Sequence, residues 1–173
     1  YLGLATEIPV YTNKTTPTLS GAAVVANYSY GQTLSANAIT ATFINSFNND
    51  VVNGTIDWVN GTLTPVDGMT YSARFTPTDA ANYNTKLITI QVQVDQVIPN
   101  ITSWPNVSSL VYGQKIEDAV ISGGLAVNPN NVSTAINGTF EWVAPTTLAV
   151  TGNSAYSMQF TPADASKYLP VIG

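Results

Sequence analysis

The sequence contains no cysteine and no histidine among its 173 residues. The first absence excludes disulfides and thiolate metal sites, and it leaves the redox compartment unreadable from cysteine. The second removes the usual general base and the commonest metal ligand. Charge is scarce too. Only 9% of residues are charged, five basic against ten acidic, for a net charge of -5. No basic stripe exists, so binding to nucleic acid or to anionic lipid is disfavoured. No apolar run approaches the length of a membrane span, and no membrane insertion is expected of this chain. Convincing helical periodicity is missing; Asp79 to Tyr83 and Asp164 to Tyr168 suffice for single turns only. No signal peptide or sorting tail is visible, and the first residue is Tyr rather than Met, so the chain reads as an excerpt from a longer protein.

What is present is apolar and β-prone. The hydrophobic fraction of 45% can build a core. Abundant Thr, Asn, Ser and Val suit short twisted strands with polar turns. The organising stretch is Phe75-Thr-Pro-Thr-Asp-Ala-Ala-Asn-Tyr83, which returns as Phe160-Thr-Pro-Ala-Asp-Ala-Ser-Lys-Tyr168. Two further motifs return with it. Tyr30-Gly31-Gln32 matches Tyr112-Gly113-Gln114 at an offset of 82 (112 − 30). Asn53 to Trp58 matches Asn137 to Trp142 at 84 (137 − 53), and Tyr71, Phe75 and Tyr83 match Tyr156, Phe160 and Tyr168 at 85 (156 − 71). An ordered set of motifs that returns once marks an internal repeat. The growing offset places small insertions in loops at strand ends. The first repeat is 17–98 and the second is 99–173, with its last strand missing. Residues 1–16 read as the tail strand of a preceding repeat, because Tyr1 precedes Pro17 as Tyr83 precedes Pro99.

The strands expected in the first repeat are Pro17–Leu19, an irregular edge at 22–27, a long strand at 33–44, then 53–58, 63–66, 70–76 and 87–94. The last is the cleanest: Ile88, Ile90, Val92 and Val94 alternate with polar neighbours. Residues 6–12 form an edge-strand candidate containing Pro9. Short strands with turn signals at near-even spacing argue for an all-β chain of sandwiches.

These motifs in this order resemble the bacterial immunoglobulin-like tandem repeats of cell-surface and adhesin proteins, over nearly the whole chain. The resemblance implies two tandem immunoglobulin-like β-sandwich domains in an extracellular array, at the cell surface or in the cell wall, where most repeats act as spacers. Asp79-x-Ala81-x-Tyr83 also looks like the tyrosine corner of that fold, in which the Tyr hydroxyl bonds back to nearby backbone. The second repeat departs from the pattern with Ser166 where Ala is preferred.

Structural roles are expected for Trp58, Trp142, Tyr83, Tyr168, Asp79 and Asp164. The two tryptophans share one repeat position, which favours core over a sugar platform. The two aspartates read as caps of the turn before each Tyr. Trp104 has Ala22 as its counterpart, so the common fold does not demand it. A place at the joint between repeats is favoured over a ligand role. Asn-x-Ser/Thr recurs from Asn13 to Asn137, but Asn, Ser and Thr are frequent enough for chance, and a turn role suffices for Asn-Gly-Thr. No lysine has a lysine counterpart, which disfavours a shared self-crosslink. Serine and threonine lack a plausible base, so no catalytic residue, cofactor or metal ligand is assigned and no enzyme activity is expected.

The expected function is a structural spacer or stalk; the alternative is a module binding host glycan or protein through Trp104 or the loops 45–50 and 128–134. Expected partners are neighbouring repeats of the same protein. The segment 5–12 is also expected to complete the second repeat of another molecule, head to tail, by strand exchange. The rival arrangement pairs each tail strand with the repeat that follows it.

Overall fold

A computed structural model describes residues 7–173. The first repeat carries β1 (Thr18–Val25), β2 (Tyr28–Ser29), β3 (Ile39–Ile44), β4 (Gly54–Trp58), β5 (Thr70–Pro77), β6 (Lys86–Gln91) and β7 (Val94–Asp95). The second carries β8 (Asn100–Ser103), β9 (Asn106–Val107), β10 (Ile121–Ser122), β11 (Leu125–Asn128), β12 (Asn131–Ala135), β13 (Gly138–Trp142), β14 (Met158–Pro162) and β15 (Val171–Ile172). Short 3₁₀ turns at Leu34–Ala36 and Ile116–Asp118 are the helical elements among the described residues. The protein is all-β and is built of several small sheets.

The chain forms two compact units whose boundary does not follow the sequence repeat. One holds the chain up to Ala26 with Asn37–Gly61 and Thr70–Gln91; the other holds Asn27–Ala36, Thr62–Met69 and Val92–Gly173. In the first unit β1 pairs with β3, and β5 lies between β4 and β6. Its core stacks Phe43 on Phe75 at 3.9 Å, with Val52 buried beside them. In the second unit β11 lies between β8 and β12, β14 between β13 and β15, and β2 runs parallel to β7. Its core groups Ala126, Ile136, Phe160 and Tyr168.

The backbone registers repeat as the motifs do. Gly54↔Pro77 through Trp58↔Ala73 returns as Gly138↔Pro162 through Trp142↔Met158. Leu19↔Phe43 returns as Ile101↔Ala126. Val52 donates its amide to Phe43, as Ile136 does to Ala126. Phe43 and Ala126 are therefore counterparts. One inserted residue falls at Gly123–Gly124, one in the loop after Asn128, and one between Trp142 and Met158, all between strands or at their ends.

β5 and β6 form the local hairpin, Tyr71↔Ile90 through Phe75↔Lys86. Alternation dictates it: Ala73, Phe75 and Ile90 are buried while Arg74 and Thr89 face outward. Its counterpart in the second repeat is partly present, since Gln159↔Ile172 and Phe160↔Val171 repeat Arg74↔Leu87 and Phe75↔Lys86. The strand expected to be missing thus begins with β15.

Several expected elements differ. The long strand 33–44 opens instead as the 3₁₀ turn at Leu34. That side chain is buried, its amide bonds Leu63, and its carbonyl accepts the Tyr28 hydroxyl at 2.8 Å. Tertiary bonds override the β-prone sequence there. Residues 63–66 form no strand. Thr18–Val25 is a single strand, bulged between Ser20 and Val24, where Gly21 takes a φ of 78°. Of the segment 5–12, residues 5 and 6 lie outside the described residues; 7–12 are not a strand and are exposed. Gly54 is no turn residue either. It starts β4, where a Cβ would collide with the Phe75 ring and the Thr76 carbonyl, and Gly138 repeats this against Phe160 and Thr161.

Candidate functional site

Two places in the second compact unit gather side chains that the common frame alone does not require. The first is built on the Tyr-Gly-Gln turn. Gln32 holds that turn through its side-chain oxygen, which accepts the Ser29 amide at 2.8 Å; Gln114 does the same for Val111 at 2.7 Å. Gly31 and Gly113 both take a φ of 94°, a left-handed value that favours glycine. The turn presents Tyr30 edge-on to Tyr168, with centroids 5.4 Å apart. Gly31 lies against Asn128, and a Cβ there would strike its side-chain amide.

Asn128 is almost fully buried, and it is satisfied. Its Nδ2 donates to the Tyr168 hydroxyl at 3.3 Å, and its Oδ1 accepts the Asn130 amide at 2.9 Å. The Asn130 side chain then donates to the Tyr30 carbonyl at 3.0 Å. Lys167 lies 5.4 Å from the centre of the Tyr30 ring. The linker completes the assembly: Val97 and Tyr168 form a parallel bridge, and Gln96 donates to the Ala165 carbonyl. Tyr30, Gly31, Gln96 and Val97 of one repeat edge are thus docked on Asn128 and Asn130 and on the segment 165–168.

Half of this arrangement is repeated in the first compact unit. Asn45 donates to the Tyr83 hydroxyl at 3.3 Å and accepts the Phe47 amide, and Thr15 bridges Tyr83 as Val97 bridges Tyr168. The tyrosine-corner expectation changes here: each hydroxyl takes its bond from an asparagine about forty residues upstream, not from nearby backbone. These asparagines escaped the sequence reading. Their signal was Asn at the head of both variable loops, 83 residues apart (128 − 45).

The caps read from the sequence have clear geometry. Asp79 accepts the amides of Ala81 and Asn82 and the Asn82 side chain, whose bond does most to hold its carboxyl below the usual range. Asp164 is lowered chiefly by its contact with Lys167 at 2.7 Å, then by Ser166. The same contact raises Lys167. Burial raises the Tyr168 phenol.

The second place is a cleft of about 590 Å³ lined by Leu110, Tyr112, Ile116, Ala119, Trp142 and Tyr156, among others. Trp142 is half-buried, as is Trp58 at the matching position, and neither indole N–H has a hydrogen-bond partner among the described residues. In the first repeat the corresponding space is occupied. Tyr28, Leu34 and Val92 are buried there to within 1% of complete. Val92 exchanges backbone bonds with Gly68 and Met69, and Gln93 and Asp95 accept the amides of Tyr28 and Tyr30.

Trp104 does not reach the joint. It lies edge-on to Phe140 at 5.7 Å and against Gly173, inside the second repeat. With Tyr156 and Met158 it borders a shallower cleft of about 300 Å³. Beside the joint, a 620 Å³ pocket is flanked by Asp67, Asp95 and Lys167. All three are engaged elsewhere, with the Val94 amide, Asn27 and Asp164 respectively. Among the described residues no three acidic groups converge as a metal site would need.

The frame and its sites define an all-β protein of several small sheets, all antiparallel except the β2–β7 pair. No protein family, no curated protein and no solved structure matches the chain.

Proposed function

We propose that the chain is a run of tandem immunoglobulin-like β-sandwich repeats serving as a structural spacer in an extracellular bacterial surface protein or adhesin. The observation that carries this reading is the use made of the repeated Tyr-Gly-Gln motif. Tyr30 and Gly31, with Gln96 and Val97 of the linker, dock one repeat's edge against Asn128, Asn130 and Tyr168 of the next. A spacer needs repeats that hold their neighbours, and four residues with the same identity in both repeats, Tyr30, Gly31, Asn128 and Tyr168, take part in that contact. The family resemblance supplies the extracellular, cell-surface setting.

The alternative is a module that binds host glycan or protein through Trp104. In its place Trp104 covers Phe140, a packing task that accounts for it without a ligand. A joint that acts as a spacer restricts motion. Spin labels on the two repeats should give a narrow distance distribution that broadens in Tyr30→Ala and Asn130→Ala. An unchanged distribution in both variants would count against the spacer. So would glycan-array binding lost in a folded Trp104→Ala variant.

A further inference from the structure

The repeated Asn-Gly-Thr triplet, at 53–55 and 137–139, is accounted for by packing only in its middle. Gly54 and Gly138 each begin a strand, and a Cβ on either would enter the Phe75 or Phe160 ring. Alternation along the strand turns the flanking residues the other way. Asn53, Thr55, Asn137 and Thr139 are all exposed. The backbone of each asparagine is engaged: Asn53 O accepts the Thr78 amide at 2.9 Å and Asn137 O the Ala163 amide at 2.8 Å. The asparagine side chains and the two threonine hydroxyls bond no other described residue. A turn role does not explain the triplet, because each glycine starts a strand. Both repeats thus hold an outward amide, and a hydroxyl two positions on, that the fold does not use.

The other asparagines sharpen the point. The chain has 17, and eight of them head an Asn-x-Ser/Thr triplet. Serine and threonine together are 36 of the 173 residues, so chance alone would give about four such triplets. All eight leading asparagines are exposed. Of the nine asparagines outside the triplets, seven donate the side-chain amide to a partner, as Asn45 and Asn128 do to their tyrosines. Within the triplets Asn27 donates to Asp95, whereas Asn13, Asn53, Asn100, Asn106, Asn131 and Asn137 make no side-chain bond to a described residue. Two of their partner hydroxyls are engaged, Thr102 with the Leu125 carbonyl and Ser108 with the Val120 amide. The triplets at 53 and 137 have both groups exposed and unbonded, at the same place in each repeat.

We propose that Asn53 and Asn137 are acceptors of N-linked glycans. The inference rests on the extracellular setting of the proposed function and not on its spacer role. The asparagine Nδ2 attacks C1 of a sugar carried on a glycosyl diphosphate donor. The N–C1 bond forms, the C1–O bond breaks, the diphosphate leaves with the electron pair, and Nδ2 gives up one proton. The Thr55 or Thr139 hydroxyl is the second group that the transferase reads. The position suits the transfer and its product. β4 and β13 lie at sheet edges, each with one sheet neighbour among the described residues, so the acceptor is open along its flank. A sugar at the head of such a strand is a bulky polar cover for an unpaired edge. Only 9% of the chain's residues are charged, so charge alone does little of that work.

The test is mass spectrometry of the chain recovered from its own cells, with each modified residue located by fragmentation. Sugar is expected on Asn53 and Asn137 and absent from Asn45 and Asn128. Asn53→Gln and Asn137→Gln should each remove one glycan. These side chains are exposed and unbonded, so the variants keep the fold. Thr55→Ala should lower occupancy at Asn53 by roughly tenfold or more, while Thr55→Ser keeps the hydroxyl and most of the occupancy. Asn53 and Asn137 without sugar, wherever in the cell the chain is found, overturn the proposal. Sugar that persists on Asn53 in Thr55→Ala overturns it as well. Broad spin-label distances would sink the spacer and leave these sugars in place, so the two readings fail separately.

Discussion

The two repeats share a frame and fill it differently. In the first, Phe43 stacks on Phe75, and Ile56 and the small Ala41 pack against the pair. In the second, the Phe43 position is Ala126. The ring is supplied instead by Phe140, the counterpart of Ile56, which packs on Phe160 at 4.8 Å. Gly124, two residues before Ala126 as Ala41 is before Phe43, makes room: a Cβ there would strike the Phe140 ring. Trp104 replaces Ala22 and covers Phe140 from outside. The ring that packs on the constant Phe moves from the Phe43 position to the Ile56 position, a shift of the kind that packed interiors tolerate when apolar character is kept. The constant residues lie elsewhere, at the glycine under each Phe and in the Asn–Tyr bond.

The largest effect should come from emptying the first core. Phe43→Ala should cost about 3–5 kcal/mol in denaturant unfolding. The double variant Phe43→Ala/Ile56→Phe imitates the second repeat and should recover part of that loss, a coupling that a double-mutant cycle measures. If the two changes simply add, the two cores are not alternative solutions of one frame. Next in size is a paired glycine test. Gly31→Ala and Gly113→Ala carry the same backbone strain, but only Gly31 faces Asn128, so it should cost about 1–3 kcal/mol more. Equal losses would deny Asn128 a role at the joint.

Smaller again, Tyr168→Phe strands the buried Asn128 amide and should cost about 1–3 kcal/mol by thermal unfolding. Tyr83→Phe should cost less, because Tyr83 is only half-buried. The smallest effect is a pH dependence. Asp79 and Asp164 have folded-state pKa values lowered by their hydrogen bonds. Such groups stabilise above the unfolded carboxylate pKa, and that stability is lost as pH falls through the lowered folded value. Denaturant midpoints at neutral and acidic pH should converge slightly in Asp79→Asn and Asp164→Asn relative to the parent.

Much of this frame was legible in the sequence, and the reason is local. The β5–β6 hairpin declares itself because alternation and turn spacing act over a few residues, and the caps at Asp79 and Asp164 because they bond two or three positions away. The 3₁₀ turn at Leu34 was not legible, since its partners Leu63 and Tyr28 compete with a run of good strand formers. The asparagines at 45 and 128 were hidden because their partners lie about forty residues on. Trp104 stands out in the sequence because Ala22 is its counterpart, but its packing on Phe140 answers the loss of a ring at Ala126, visible only once the cores are laid side by side. Trp104 was expected at the joint in preference to a ligand role; it packs on Phe140, while Tyr30 and Gly31, already noted in a motif, perform the docking.

Residues 27–36 and 62–69 belong to the first repeat by sequence and to the second compact unit by contact. That mismatch couples the two repeats, so that the folding free energy of the first includes a term owned jointly with the second. Removing 99–173 should therefore do more than delete a repeat. It should lower the melting temperature of what remains and fray Tyr28–Ala36 first, as a broken chain of coupled sites loses order from its cut end.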